Sequence, residues 1–200
     1  ADKNKIIDDK DKREVNVLRS KIAYAKRILE VHSRMYNQQY GDNFICVIPT
    51  NIYGEYDNYN LEDAHVIPAL IHKCYLAKKN KEPFVVFGSG KPLRQFIYSK
   101  DLARLLLWSL LEYNKKDTLI LSVSKKKEVS IKKVATIIAE KMEYKNNMKF
   151  DVTKADGQYK KTASNKLLLK QHPNFKFIDI KEGLNNTIQW FIDNYDSCRK

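Results

Sequence analysis

Three groups of residues have types and spacings that could carry chemistry. Tyr24-Ala25-Lys26 precedes, by about one strand, the segment Pro49-Thr50-Asn51-Ile52-Tyr53-Gly54. That segment falls at the C-terminal end of a predicted strand, the edge at which open α/β sheets bind ligands. The second group, Asp57-Asn58 and then Glu62-Asp63-Ala64-His65, stands at the mouth of a predicted helix. The third, Gly88-Ser89-Gly90-Lys91-Pro92-Leu93-Arg94-Gln95-Phe96, is a glycine-rich turn carrying one arginine. A guanidinium offers a fixed fork of donors, a geometry suited to phosphate.

These groups need elements to hold them. Apolar positions at helical spacing predict a helix over 20–40, stopped by Gly41, whereas the charged stretch 1–19 reads as a solvated loop or tail. The short apolar run 44–48 reads as a strand buried on both faces, with Cys46 inside it. A helix over 65–79 follows, then a strand over 84–87 that closes on Gly88, and a further strand over 94–98. Ser99 is expected to cap a helix whose Leu102, Leu106 and Leu110 form a core stripe, with Asp101 near its positive end. Strands over 119–123 and 148–152 flank a helix over 131–142 capped by Ser130, and helices over 164–171 and 181–195 finish the chain. Alternating helices and apolar strands indicate an α/β protein.

The bulk composition bounds what such a protein can do. The 200 residues are 43% hydrophobic and 11% aromatic, enough for one well-buried core, and carry a net charge of +13. That charge is compatible with phosphorylated small molecules, but no nucleic-acid motif accompanies it, and Lys125-Lys126-Lys127 reads as a solvated loop. No apolar run approaches the length of a membrane span, so a soluble, cytoplasmic protein is expected. Cys46, Cys74 and Cys198 are odd in number and widely spaced, as reduced thiols are, and no metal site is expected. His32, His72 and His172 have no motif around them and read as structural or surface residues. No G-x-G-x-x-G or G-x-x-G-x-x-G occurs, so a complete dinucleotide-binding unit is not expected within this chain.

Taken in order, YAKRILEVHSRMYNQQYG, VIPTNIYGEYDNYNLEDAHVIPALIHK, FGSGKPLRQFIYSKDLA, DGQYKKTASNK and QWFIDNY resemble the extended short-chain dehydrogenase/reductases and, among them, the GDP-L-fucose synthase family. The resemblance runs from about residue 23 to the C-terminus. It implies that 20–200 form the C-terminal part of an NAD(P)-binding Rossmann domain interleaved with a smaller α/β substrate-binding domain. It also implies a homodimer, using NADP(H), that epimerises and then reduces GDP-4-keto-6-deoxy-D-mannose.

Residue by residue, the resemblance implies that His65 serves as acid/base and that Lys26 binds the nicotinamide ribose. Pro49, Thr50, Asn51 and Ile52, together with Lys26 and His65, match the cofactor-binding positions. Lys73, Phe87, Arg94 and Asp156 match the GDP-sugar positions, with Lys73 where arginine is frequent and Phe87 where many members have tryptophan. A further departure bears on the chemistry: Ile22 stands four before Lys26, where the family carries the tyrosine that protonates the developing alkoxide. Tyr24 is two positions away, near the opposite helix face, and does not replace it. The chain alone is therefore expected to be inactive as a reductase; the alternative is a non-catalytic relative that binds GDP-sugar or a partner.

Overall fold

No glycine or proline interrupts the chain from Asp9 to Tyr40, and lysine, arginine and glutamate are good helix formers. Helix α1 accordingly occupies Asp9–Tyr40, so 9–19, expected as loop, are helical. The computed structural model describes residues 9–200, with side chains described from Tyr24 onward; the expectation for 1–8 lies outside the described residues. The chain divides into two units, one running up to Val47 with Asn114–Leu119, the other comprising Ile48–Tyr113 and Ile120–Lys200.

In the first unit, α1 ends where Gly41 takes a φ of 75°, a conformation cheap only without a Cβ. Asn37 then pins the returning chain, its amide donating to the Phe44 carbonyl at 2.7 Å and accepting the Phe44 N–H at 2.8 Å. Phe44 is exposed and Cys46 only partly buried, contrary to the expected buried strand over 44–48. The Cys46 carbonyl accepts the Leu119 N–H at 3.0 Å.

The chain enters the second unit along β1 (Val47–Pro49), followed by β2 (Asn51–Tyr53), α2 (Val66–Asn80), β3 (Phe84–Phe87), β4 (Leu93–Arg94) and β5 (Phe96–Tyr98). Then come α3 (Ser99–Leu111), β6 (Leu119–Leu121), β7 (Val129–Ser130), α4 (Ile131–Lys141), β8 (Met148–Asp151), α5 (Lys166–Gln171) and α6 (Ile180–Asp193). β2 pairs in parallel with β5, Tyr53 opposite Tyr98, and β3 pairs in parallel with β8, Phe87 opposite Asp151. β4 and β7 are antiparallel. Parallel pairs joined through helices confirm the α/β class.

The core of this unit is built from one face of each helix. Ile71 and Cys74 of α2, Val134 and Ile138 of α4, and Leu184, Ile188 and Phe191 of α6 are buried with Phe84 and Val86 of β3. Each such side chain withdrawn from water is worth about 1.5–3 kcal/mol. Phe84 and Val86 share one face of β3 because side chains alternate along a strand. The strand ends at the exposed Phe87, and the chain turns there through Gly88.

Three local expectations differ from the structure. The strand expected over 94–98 is two strands divided at Gln95, whose fully buried amide donates to the Val123 carbonyl and accepts the Ala163 N–H, each at 2.7 Å. Satisfying that amide rotates the chain between two partners. Ser99 is the first helical residue of α3 and not its cap; Tyr98 is the cap, with no side-chain bond, whereas Ser130 Oγ does accept the Lys133 N–H ahead of α4. The expected leucine stripe also turns away from the core: Leu102 and Leu105 are buried, but Leu106 is 41% and Leu110 78% exposed. At about 100° per residue a four-residue repeat drifts around the helix by about 40° each step, so Ser109, and not Leu110, follows Leu105 inward.

Candidate functional site

Where β3 ends, the Gly88-Ser89-Gly90 turn carries the chain over a cavity of about 310 Å³. Its floor is apolar, from Val66 and Leu70 of α2, Val86 of β3, Pro92 and Ile131. Its polar wall is Lys73, Arg94 and Asp156, with Phe87 beside them. The fold therefore brings Lys73, Phe87, Arg94 and Asp156, which stand as much as 83 residues apart in sequence, to one cavity.

Each side chain is held differently. Lys73 places its ammonium 3.5 Å from the centroid of the Phe87 ring, so one face of that ring orients a cation and is not free to stack on a base. Arg94 spends one donor on the Leu93 carbonyl at 2.7 Å, leaving the remainder of its fork at the cavity, where Gly157 lies against it. Asp156 clasps the turn: Oδ1 accepts the Ser89 N–H at 2.8 Å and Oδ2 accepts the Ser89 hydroxyl at 2.5 Å. Among the described residues, neither Lys73 nor Arg94 has a carboxylate within 4.0 Å. Two cations without a counter-charge, over an apolar floor, suit an anion that carries an apolar or aromatic body.

Burial holds the Lys73 pKa below the usual lysine value. The folded state therefore binds fewer protons than the unfolded one between the lowered value and the usual one, and unliganded stability rises with pH across that window. A bound anion stabilises the ammonium and reverses the shift. Diphosphate binding at a pH within that window is thus expected to take up a proton, and affinity is expected to fall as pH rises through it. Lys73→Arg, which stays charged, should remove both effects. Calorimetry in buffers of different ionisation enthalpy reads the proton directly; equal heats in all of them would contradict this assignment.

The remaining candidate residues occupy other places. His65 is the N-cap of α2, with extended backbone and no side-chain capping bond. It is exposed and stands between Ala64 and Val66, both of which line the cavity. The loop before it is ordered by Asn58, which donates to Asp63 Oδ1 at 2.7 Å, and by the Ala64 N–H bonding to the Asn60 carbonyl at 2.8 Å. Pro49, Thr50, Asn51 and Ile52 form the end of β1 and the start of β2. Thr50 donates its hydroxyl to Ser122 Oγ at 3.2 Å and Asn51 its amide to the Gln95 carbonyl at 2.9 Å, while Pro49 and Ile52 stay exposed. Lys26 is an exposed residue of α1 in the other unit, and Ile22 lies where only the backbone is described.

The other histidines do not line this cavity. His172 stacks on Trp108 at 4.7 Å, His72 is buried with Nδ1 donating to the Tyr59 carbonyl at 2.8 Å, and His32 is exposed. Sequence reasoning did not assign Ser89 its clasp. The available signal was its place between two glycines, Gly88 and Gly90, both of which take a positive φ in the structure.

Residues 2–123 match the model of the NAD dependent epimerase/dehydratase family. A GDP-L-fucose synthase of Dictyostelium discoideum is 54% identical over 178 residues, which span 89% of this chain and 56% of that protein. A probable GDP-L-fucose synthase of Drosophila melanogaster is 42% identical over 89% of this chain and 58% of its own length. Among solved structures, a GDP-L-fucose synthetase from Naegleria fowleri bound to NADP superposes with a TM-score of 0.86 at 48% identity, over 89% of this chain and 55% of that one. The chain spans a little over half the length of the relatives it matches.

Proposed function

Because this chain belongs to the NAD dependent epimerase/dehydratase family, we propose that it is the sugar-nucleotide-binding portion of an NADPH-dependent epimerase/reductase that acts on GDP-4-keto-6-deoxy-D-mannose and makes GDP-L-fucose. The observation that carries this reading is the pair of unpaired cations, Lys73 and Arg94, over an apolar floor in one cavity. Lys73 and Arg94 hold the diphosphate, Asp156 and Ser89 fix the turn that closes over it, and the apolar floor takes the nucleoside. His65, at the edge of this cavity, then faces the sugar end and moves a proton to or from a carbon beside the ketone.

The described residues fit one end of a dinucleotide. Pro49 ends β1 and Ile52 lies within β2, each exposed and apolar, with Thr50 and Asn51 fixed beside them by their own hydrogen bonds. A flat nicotinamide ring suits those exposed faces, and the motif resemblance is what supports Lys26 as a ribose-binding residue. NADPH supplies the hydride when bound, as the NADP-bound relative supports. The exposed Tyr24, Ile28, Leu29, Met35 and Tyr36 of α1 support pairing of two copies through this helix. Three free cysteines support a reducing compartment such as the cytoplasm, and no helix among the described residues is long and apolar enough to cross a membrane.

Ile22 favours a second reading, a relative that binds GDP-sugar without reducing it, because the phenol expected four residues before Lys26 is not encoded. Saturation-transfer NMR tests what both readings share. Guanine and ribose protons of GDP-mannose should receive saturation from the chain and free mannose should not; transfer to neither ligand, or equally to both, would overturn the assignment.

A further inference from the structure

We infer that Lys154 is a further diphosphate-binding residue, brought to the rim of the cavity by the bonds that tie the end of β8 to the glycine turn. The inference rests on the reading of that cavity as a sugar-nucleotide site.

The Phe87 ring serves two ammonium groups. Lys73 Nζ lies 3.5 Å from its centroid and Lys154 Nζ 5.9 Å from it. Two like charges gathered at one ring repel each other, and the ring's quadrupole offsets only part of that. The backbone nevertheless holds Lys154 there. Gly88 donates its N–H to the Asp151 carbonyl at 2.9 Å, the Lys154 N–H bonds to the same carbonyl at 3.3 Å, and Asp156 clasps Ser89 two residues on. Lys154 is thus bracketed by attachments to the turn while its side chain stays exposed.

Among the described residues, no carboxylate forms an ion pair within 4.0 Å of Lys73, Arg94 or Lys154. Among the described residues, Asp156 is the one carboxylate lining the cavity, and both of its oxygens are engaged by Ser89. The nearby Asp151 accepts the hydroxyl and N–H of Thr153 at 2.6 and 3.1 Å, and although its field reaches Lys154, the two form no ion pair within 4.0 Å. Lys73 and Arg94 line the cavity, and Lys154, next to the lining Ala155, adds a third cation beside Phe87. A nucleoside diphosphate, which bears more charge than the monophosphate, is the ligand class that uses all three.

The test is calorimetric titration with GDP and with GMP on the chain and on Lys154→Gln, which keeps the stem and removes the charge. Lys154→Gln should weaken GDP about tenfold, about 1.4 kcal/mol, leave GMP within about twofold, and unfold at the same temperature as the parent; Lys154→Arg should restore GDP. GDP binding unchanged in Lys154→Gln would overturn the inference while leaving the sugar-nucleotide reading intact, and so would equal losses for GDP and GMP. A parent chain that binds neither nucleotide would remove the sugar-nucleotide reading itself, and the inference with it.

Discussion

Gly88→Ala is expected to lower the affinity for GDP about a hundredfold, about 2.7 kcal/mol, and to cost a further 1–2 kcal/mol, roughly, in stability. Gly88 is buried at a φ of 83°, where an L side chain is strained, and a Cβ built there runs into the Asp156 carboxylate. The backbone around the glycine cannot retreat, because its N–H is bonded to Asp151 in the neighbouring strand. Asp156 therefore has to move, both of its bonds to Ser89 break, and the wall opposite Arg94 opens. Gly41 supplies the control. Its φ is 75°, yet nothing lies within 4 Å of a Cβ placed on it, so Gly41→Ala should show a comparable backbone penalty with GDP affinity unchanged. GDP titration and thermal melting of the two variants separate strain from the lost clasp. Equal affinities for Gly88→Ala and the parent would contradict the role given to the turn.

Asp101→Ala is expected to cost about 3 kcal/mol of stability, the largest single effect foreseen away from the cavity. The side chain is 1% exposed, accepts the Ile178 N–H at 2.8 Å, and pairs with Arg104 at 3.2 Å. Alanine leaves a buried amide without an acceptor and a void beneath α3. Asp101→Asn keeps one acceptor and should cost about half as much. Burial raises the Asp101 pKa, against the opposing pull of the Ile178 amide and Arg104. Folding therefore takes up a proton here between the usual and the raised value, and Asp101 favours the native state more as pH falls through the raised value; both variants should lose that acid-side gain. Urea midpoints at neutral and acid pH measure it. An Asp101→Ala midpoint equal to that of the parent would show that the 176–180 segment is held by other contacts.

Asp101 also illustrates what the sequence could and could not disclose. Its acidity and its place near the start of α3 were legible, and the helix is there; the partner 77 residues away was not, because a backbone amide leaves no mark on the pattern of side chains. The same holds at the cavity. Arg94 and the glycine turn were visible as a group suited to phosphate, and the motif resemblance added Lys73, Phe87 and Asp156. The clasp of Asp156 on Ser89 and the convergence of two lysines on Phe87 depend on the parallel register of β3 with β8, which periodicity does not specify. Secondary structure was legible where one periodicity dominated, as in β3, β8 and α4. It failed where a single side chain redirected the chain, as Gln95 does between β4 and β5, and where composition suggested a tail that helix propensity overrides.

Calorimetric titration of the chain with GDP, repeated with Arg94→Ala, tests the central claim most directly. The guanidinium supplies the one forked donor set in the cavity. Saturable one-to-one binding that Arg94→Ala abolishes, with the variant still folded, is the predicted result. GDP binding that survives unchanged in Arg94→Ala, or a folded parent chain that binds no GDP, would contradict the assignment of this cavity to a sugar nucleotide.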